Sequence, residues 1–172
     1  MLWRKASASR RRSTYAGFCF NAFRRALRRD PPARVEPMRV QLKPGASAVK
    51  AKPRRYDPVK TSWLASCVVA LLAFGFVFRN MQAVWSSPAM AMPKKDSFRL
   101  VSDYKAVNEQ VEKAPGVMPN QEADTIDLLS ARFFGKLDLL QGYWQIPLGE
   151  EAREIFTITT PLGLFTPTRV PQ

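Results

Sequence analysis

The longest uncharged stretch of the chain is residues 61–78, which are largely apolar and are bounded by Lys60 and Arg79. A stretch of this length only just reaches the lower limit for a helix that crosses a membrane. The hydrophobic pattern alone therefore leaves two interpretations, a membrane span over residues 61–78 or a shorter helix buried in a protein core.

Local signals at both ends favour the buried helix. Asp57 followed by Pro58 is typical of an N-cap and a first helical position, and Gly75 fits the position that follows a helix end. The sequence thus predicts an apolar core helix over residues 63–74, with extended chain at residues 76–78.

Two short, largely apolar runs on either side of a charged turn predict a β-hairpin. Residues 89–92 form one arm, residues 93–97 the turn and residues 98–101 the second arm. Strand side chains alternate between faces, so one face of the second arm carries Arg99, Val101 and Asp103. Lys94 and Lys95 at the tip of the hairpin, together with Arg99, could present positive charge to an anion. Taken alone, this pattern is explained more simply by an ordinary exposed turn.

A second hairpin pattern lies near the C-terminus, where residues 155–159 and 164–166 are joined through residues 161–163. A helical turn is predicted just before it, at residues 150–154. The chain between the two hairpins has a weaker pattern.

In that weaker region, residues 105–119 are predicted to be irregular. Asn120 is predicted to cap a helix that ends near Ser130, with Ile126 and Leu129 as its apolar positions.

Residues 133–139 predict a short strand that contains one acid, Asp138. A carboxylate in an apolar strand is costly to bury unless a cation accompanies it. Asp138 is therefore either a partnered structural acid or a metal ligand, and the strand pattern alone favours the structural acid.

Charge divides the chain into a basic first third and a nearly neutral remainder. The net charge is +8 in residues 1–36, +6 in residues 37–60 and −1 in residues 61–172. A basic arm of this kind suits nucleic acid, an anionic membrane or an import receptor, and a solvated flank without a partner is at least as compatible with it.

Composition suggests three regions. Residues 1–37 are predicted to be a basic flank of low order, residues 38–60 a linker rich in Pro, Lys and Arg, and residues 61–172 the folded domain. The Arg- and Ser-rich residues 1–29 also resemble a mitochondrial presequence. The two cysteines lie far apart along the chain and do not indicate a disulfide framework. Apart from the possible presequence, they therefore favour a cytoplasmic or nuclear protein with free thiols.

The chain contains no His. This excludes His-dependent catalytic triads, His general bases and His-ligated zinc. A metal here would need oxygen ligands, which points to magnesium-type chemistry.

Several short sequence blocks occur in a specific order. They are Trp85-Ser86-Ser87-Pro88, Pro93-Lys94-Lys95-Asp96, Phe98-Arg99 with Asp103-Tyr104, Asn108, Gly135-Lys136-Leu137-Asp138, Gln141-Gly142-Tyr143, Gly163-Leu164-Phe165 and Pro171-Gln172. Together they resemble the reverse transcriptase of long-terminal-repeat retrotransposons of the Ty3/gypsy type, over residues 38–172.

The resemblance implies an α+β fold, a fragment of a right-hand polymerase. It would consist of the fingers and the first palm strands behind a disordered basic N-terminal arm. The implied activity is RNA-directed DNA polymerisation by two-metal nucleotidyl transfer, with Mg²⁺ as cofactor and an RNA or DNA template-primer and a dNTP as partners. The apolar helix would be a fingers helix, and no stable membrane association is expected.

The resemblance also implies roles for three residues in the later blocks of this series. Asp138 matches the first catalytic aspartate, which ligates the metal. Tyr143 matches the aromatic gate that packs under the incoming sugar and disfavours a 2′-hydroxyl. Gln172 matches a glutamine near the incoming nucleotide.

On the first hairpin, the resemblance implies that Arg99 and one of Lys94 or Lys95 hold the triphosphate. Asp103 and Lys105 match positions that contact the template or support the fingers.

The family's second metal-binding segment, Tyr-x-Asp-Asp, does not occur in these 172 residues, and no Asp or Glu follows Glu154. The expectation is therefore a fragment that ends before this segment and is inactive by itself. Two alternatives stay open: a non-enzymatic, basic nucleic-acid-binding remnant, and a small membrane-anchored protein that spans the bilayer at residues 61–78.

Overall fold

The fold is built on a mixed five-stranded sheet with the strand order β1-β5-β4-β2-β3. The computed structural model describes residues 30–94, 97–114, 116, 120–129, 132–133, 135–136, 138–139 and 141–172. The strands are β1 Val77–Arg79, β2 Ser87–Lys94, β3 Ser97–Ser102, β4 Ile158–Thr160 and β5 Gly163–Pro167. The α-helices are α1 Pro58–Ala73, α2 Lys105–Gln110, α3 Gln121–Leu129 and α4 Glu150–Arg153.

Helix α1 confirms the predicted start and end signals. The Asp57 carboxylate accepts a hydrogen bond from the backbone N–H of Lys60 at 2.8 Å, and Pro58 is the first helical residue. Gly75 follows the C-cap residue with φ +73°, a left-handed conformation that glycine adopts without strain. None of the helices that the structure describes is both long enough and apolar enough to span a bilayer.

The main hydrophobic core lies between helix α1 and the sheet. Leu64, Val68 and Leu71 recur at helical spacing, so they share the buried face of α1. Strand residues complete this cluster, among them Val77, Ala91, Leu100, Ile158 and Phe165. The prediction of a core helix is thus confirmed by its packing.

The first hairpin is confirmed, and its strands are longer than predicted. Strands β2 and β3 pair in antiparallel register from Ala89 with Ser102 to Lys94 with Ser97. Pro93, Lys94 and Ser97, which were assigned to the turn, therefore belong to the ladder. The turn residues that remain, 95–96, lie outside the described residues.

The second hairpin is confirmed with a later start. Strand β4 begins at Ile158, whereas Ile155 and Phe156 lie in a 3₁₀ turn, Glu154–Phe156, after helix α4. Both side chains are buried. Adjacent residues of a strand point to opposite faces, whereas this turn lets both side chains enter the second hydrophobic cluster together with Leu148 and Val170.

Residues 105–119 were predicted to be irregular, which is wrong for α2. This short helix places Val107 fully in the core. Farther along, the Asn120 side chain accepts a hydrogen bond from Glu122 N–H at 3.1 Å, as expected for the cap of α3.

The strand predicted at residues 133–139 is not observed at the described positions of that stretch, 133, 135–136 and 138–139. Phe133 and Leu139 are largely exposed. A strand needs a neighbour for its backbone groups, and the sheet gains all its pairings from other segments.

The N-terminal strap, residues 30–57, is extended as a linker would be, and it is packed along the body. Main-chain hydrogen bonds join Met38 to Pro147, Lys43 to Gln110, and both Val49 and Ala51 to Ser86. Val40, Leu42 and Val49 pack against the second hydrophobic cluster. Apolar strap residues therefore alternate with exposed cations such as Lys43 and Lys50.

Candidate functional site

The β2–β3 hairpin has one face packed on helix α1 and one face open to solvent. On the packed face, Leu100 is buried and the Phe98 ring lies 5.6 Å from the Trp63 ring, measured between centroids. The outer face carries Met90, Met92, Lys94, Ser97, Arg99 and Val101, as the alternation of strand side chains requires. Helix α1 therefore supports this outer face from behind.

Lys94 and Arg99 are the two cations of the outer face, and both are exposed. Lys94 pairs with Ser97, so Arg99 is its diagonal neighbour across the ladder. Diagonal neighbours in an antiparallel pair lie roughly 7–8 Å apart. Two long cationic side chains at that separation can contact one polyanion such as a triphosphate. Lys95, the third predicted cation, lies outside the described residues.

Asp103 joins the hairpin to the N-terminal strap. Its carboxylate makes an ion pair with Arg54, with Nη2 and Oδ2 at 2.7 Å, and its other oxygen accepts from Lys105 N–H at 3.3 Å. The backbone N–H of Asp103 donates to Pro88 O at 3.1 Å. Asp103 thus holds the base of the hairpin in place, and the side chain of Lys105 is exposed. Arg54 was not identified from the sequence, because its partner is far away along the chain.

Tyr104, next to Asp103, is partly buried and packs against both hydrophobic clusters. Its hydroxyl donates to Phe156 O at 2.9 Å, and its ring packs edge-on against Phe156 at 5.2 Å. Burial raises the pKa of Tyr104 well above its usual range. The tyrosine of this sequence block is therefore an anchor between β3 and the Glu154–Phe156 turn.

Gln172 lies beside the base of the hairpin. Its backbone carbonyl accepts from Ser102 N–H at 3.1 Å, and two residues earlier Val170 N–H donates to Ile146 O at 2.9 Å. Residues 170–172 therefore bridge the hairpin and the segment that carries Tyr143. The side chain of Gln172 is exposed.

Tyr143 lies in a 3₁₀ turn, Gly142–Gln145, with its ring 59% exposed. The adjacent Trp144 is buried and stacks on Phe76 with a centroid distance of 5.9 Å. Gln141 begins the turn in a left-handed conformation with φ +48°. The buried Trp144 thus fixes the backbone from which the exposed Tyr143 ring projects.

Arg169 secures this turn, and sequence reasoning missed it. Its guanidinium lies 4.1 Å from the centroid of the Phe76 ring and donates to Trp144 O at 3.3 Å and to Asp30 O. Burial lowers the pKa of Arg169, and the nearby charge of Asp30 opposes that shift. No sequence signal distinguishes this arginine from the many others, since its partners come from three distant segments.

Asp138 is exposed and lies outside any described helix or strand. In the part of the chain that the structure describes, no group of three or more His, Cys, Asp or Glu residues is placed to hold a metal ion. The structure thus brings Lys94, Arg99, Asp103 and Lys105 together on one hairpin and its base, with Gln172 beside them. It places Asp138 in no comparable cluster.

Similarity to known proteins gives an independent view of the chain. No protein-family model matches it. The chain is 35% identical over 95 residues to the retrovirus-related Pol polyprotein from transposon 412 of Drosophila melanogaster, which covers 51% of the chain and 8% of that polyprotein.

Two viral proteins are similar over more of the chain. The enzymatic polyprotein of Figwort mosaic virus (strain DxS) is 27% identical over 122 residues, which covers 68% of the chain and 18% of the polyprotein. That of Cauliflower mosaic virus (strain Strasbourg) is 25% identical over 137 residues, covering 77% and 20%. The chain thus spans a fifth or less of each of these relatives, and it is related to one segment of retroelement polyproteins.

Proposed function

We propose that this chain is the fingers and first palm segment of a reverse transcriptase of the Ty3/gypsy type. In this proposal, its own residues form the nucleotide-binding half of the polymerase site. The observation that carries the proposal is the pair Lys94 and Arg99, exposed and diagonal on the outer face of a hairpin that helix α1 supports. Similarity to Pol and enzymatic polyproteins supports the same assignment.

The chemistry of the proposed ligand fits this pair. A triphosphate carries several negative charges on oxygen atoms, and charge-assisted hydrogen bonds from Arg and Lys are stronger than neutral ones. A guanidinium can contact two phosphate oxygens at once, whereas an ammonium acts as a compact charge. Arg99 would orient the phosphates, and Lys94 would neutralise them.

Tyr143 is proposed to act by shape. Its backbone is fixed by the buried neighbour Trp144 and by Arg169, which donates to Trp144 O, so the exposed ring projects from a fixed point of the chain. An aromatic ring that packs under a sugar excludes a 2′-hydroxyl by contact and needs no hydrogen bond. The proposed preference of the site is accordingly for dNTP over rNTP.

The residues that the structure describes do not fit a two-metal centre. Mg²⁺ requires several oxygen ligands in near-octahedral geometry, and Asp138 belongs to no cluster of candidate ligands among the described residues. No chemical step is therefore assigned to the 172-residue polypeptide. Its proposed activity is nucleotide binding, and Asp138 would contribute to metal binding only together with carboxylates from elsewhere.

Nucleotide binding tests the proposal through Lys94→Ala and Arg99→Ala. We expect each substitution to weaken the affinity for a fluorescent dNTP about tenfold, since each removes a charge-assisted contact with phosphate. The matched control is Lys113→Ala, which removes an exposed cation away from the hairpin. Equal losses in the control and in the hairpin variants would show that affinity reflects net charge alone, and would reject the site.

A further inference from the structure

Residues 145–148, which follow the turn that carries Tyr143, lie between two other extended segments. On one side is the chain before the C-terminus. There Ile146 O accepts from Val170 N–H at 2.9 Å, and Leu148 N–H donates to Thr168 O at 3.1 Å.

On the other side of residues 145–148 is the N-terminal strap. Gln145 O accepts from Ala33 N–H at 2.7 Å, and Pro147 O accepts from Met38 N–H at 2.9 Å. The backbone of residues 145–148 is therefore paired on both sides, so this stretch has little freedom to shift against its neighbours.

The side chain of Arg169 extends this pairing into the turn itself. Where the backbone pairing with Val170 ends, the carbonyl of Trp144 accepts a hydrogen bond from the Arg169 guanidinium at 3.3 Å. The same guanidinium donates to Asp30 O and lies 4.1 Å from the centroid of the Phe76 ring. One side chain thus joins the turn, the strap and the hydrophobic core.

The shape of a guanidinium suits these three contacts. Its N–H donors form a planar fork, so it can bond two carbonyls and stack on a ring in a single orientation. An ammonium carries all its donors on one atom and has no planar face. Arg169→Lys therefore keeps the charge and removes the geometry.

We propose that Arg169 is a positioning residue for Tyr143, and that it thereby sets how strongly the site prefers dNTP over rNTP. This inference rests on the proposed function, in which the Tyr143 ring packs under the sugar. A binding group acts well only when it is held within about 0.5 Å of its working position. Without the guanidinium, Trp144 O loses this donor, and the turn can shift together with the ring that it carries.

The preference for dNTP over rNTP separates this role from a purely structural one. Both nucleotides carry the same triphosphate, so a change in phosphate contacts or a general loss of stability weakens both affinities alike. The ratio of the two affinities changes only when the contact with the sugar changes.

Equilibrium binding of a dNTP and of the matching rNTP, each labelled on the base, tests the proposal on the full chain. We expect Arg169→Ala to reduce the ratio of the two affinities about fivefold or more, because small displacements in a site have large effects. Arg169→Lys should give an intermediate loss. Tyr143→Ala removes the ring itself and should abolish the preference.

The matched control is Asp57→Ala, which removes the cap of helix α1 and lowers stability. The contacts of Asp57 lie in the first turn of that helix, so the ratio should stay at the value of the parent. Each variant is measured where circular dichroism shows that it is folded, and Arg169→Lys keeps the test decisive if Arg169→Ala does not fold.

The outcomes distinguish the positioning role from the gate on which it rests. A ratio that falls in Tyr143→Ala but keeps its parent value in the Arg169 variants would overturn the positioning role and leave the gate intact. An unchanged ratio in Tyr143→Ala would reject the gate and this inference with it. An equal fall in Asp57→Ala would show that stability alone controls the ratio, and would overturn the inference as well.

Discussion

At the scale of single residues, this protein separates cations that hold the fold from cations that face solvent. Arg169 stacks on Phe76 and bonds two backbone carbonyls, and Arg54 pairs with Asp103. None of the described hydrogen bonds, ion pairs or ring contacts involves the side chain of Lys94 or Arg99, and both side chains are exposed on the hairpin. The two groups should therefore respond differently to substitution.

Arg169→Ala should lower the free energy of unfolding by about 2–3 kcal/mol, because it removes a cation–π contact and charged hydrogen bonds to half-buried carbonyls. Arg169→Lys should recover less than half of that loss, since an ammonium cannot stack on Phe76 and reach both carbonyls in one geometry. Chemical denaturation measures both values.

Arg99→Ala is the matched comparison for Arg169→Ala. It should leave the free energy of unfolding within about 0.5 kcal/mol of the parent, as is usual for exposed sites, while it weakens nucleotide binding. A loss of stability in Arg99→Ala comparable to that in Arg169→Ala would contradict the separation of the two roles.

At the scale of secondary-structure elements, features that depend on neighbouring residues could be predicted from the sequence. Pairings between strands that are far apart along the chain could not. Asp57, Pro58 and Gly75 delimit helix α1 because a helix cap depends on residues within one turn. The β2–β3 hairpin could be predicted for the same reason. In contrast, the parallel pairing of β2 with β4 and the pairing of β1 with β5 join segments about 70–90 residues apart, which no local pattern encodes.

The residues of the candidate site fall into the same two groups, those that could be predicted from the sequence and those that could not. Lys94 and Arg99 could be placed on one hairpin from the sequence, with Lys94 in the predicted turn and Arg99 on the second arm, whereas their diagonal placement in the ladder could not be predicted. Arg54 and Arg169 could not be identified, because each acts through partners brought together only by the fold. The strand predicted at residues 133–139 was wrong at the positions of that range that the structure describes, because an apolar run specifies a strand only where a neighbouring strand is present.

The cap of helix α1 gives a prediction about pH. The backbone N–H of Lys60, followed by its side chain, lowers the pKa of Asp57 in the folded protein. The charged form is thus favoured by folding, so this contribution is present above the ordinary pKa of an aspartate and is lost as the pH falls through the lowered folded value. Asp57→Asn keeps a capping oxygen without the charge.

Asp57→Asn should therefore reduce the loss of stability that the parent shows between about pH 6 and pH 2. Asp57→Ala removes the cap and the charge together, and it should be less stable than Asp57→Asn at every pH. Urea denaturation at several pH values measures these differences. An unchanged pH dependence in Asp57→Asn would show that the Asp57 charge does not contribute.

At the scale of the whole molecule, exposed cations occur both on the N-terminal strap and on the β2–β3 hairpin. The N-terminal strap packs its apolar residues on the body and leaves cations such as Lys43 and Lys50 exposed. The hairpin presents Lys94 and Arg99 on a separate surface. No group of three or more candidate metal ligands is gathered among the residues that the structure describes, so the proposed nucleotide binding is tested separately from nucleotide incorporation.

The central proposal is that Lys94 and Arg99 belong to a nucleotide-binding site, while the residues that the structure describes gather no cluster of metal ligands. Its most direct test measures dNTP binding and primer extension in one sample, with Mg²⁺ and a template-primer. We expect saturable dNTP binding that is lost in K94A/R99A, and no template-dependent incorporation. Incorporation of nucleotide by the purified polypeptide, or dNTP binding that survives in K94A/R99A, would contradict it.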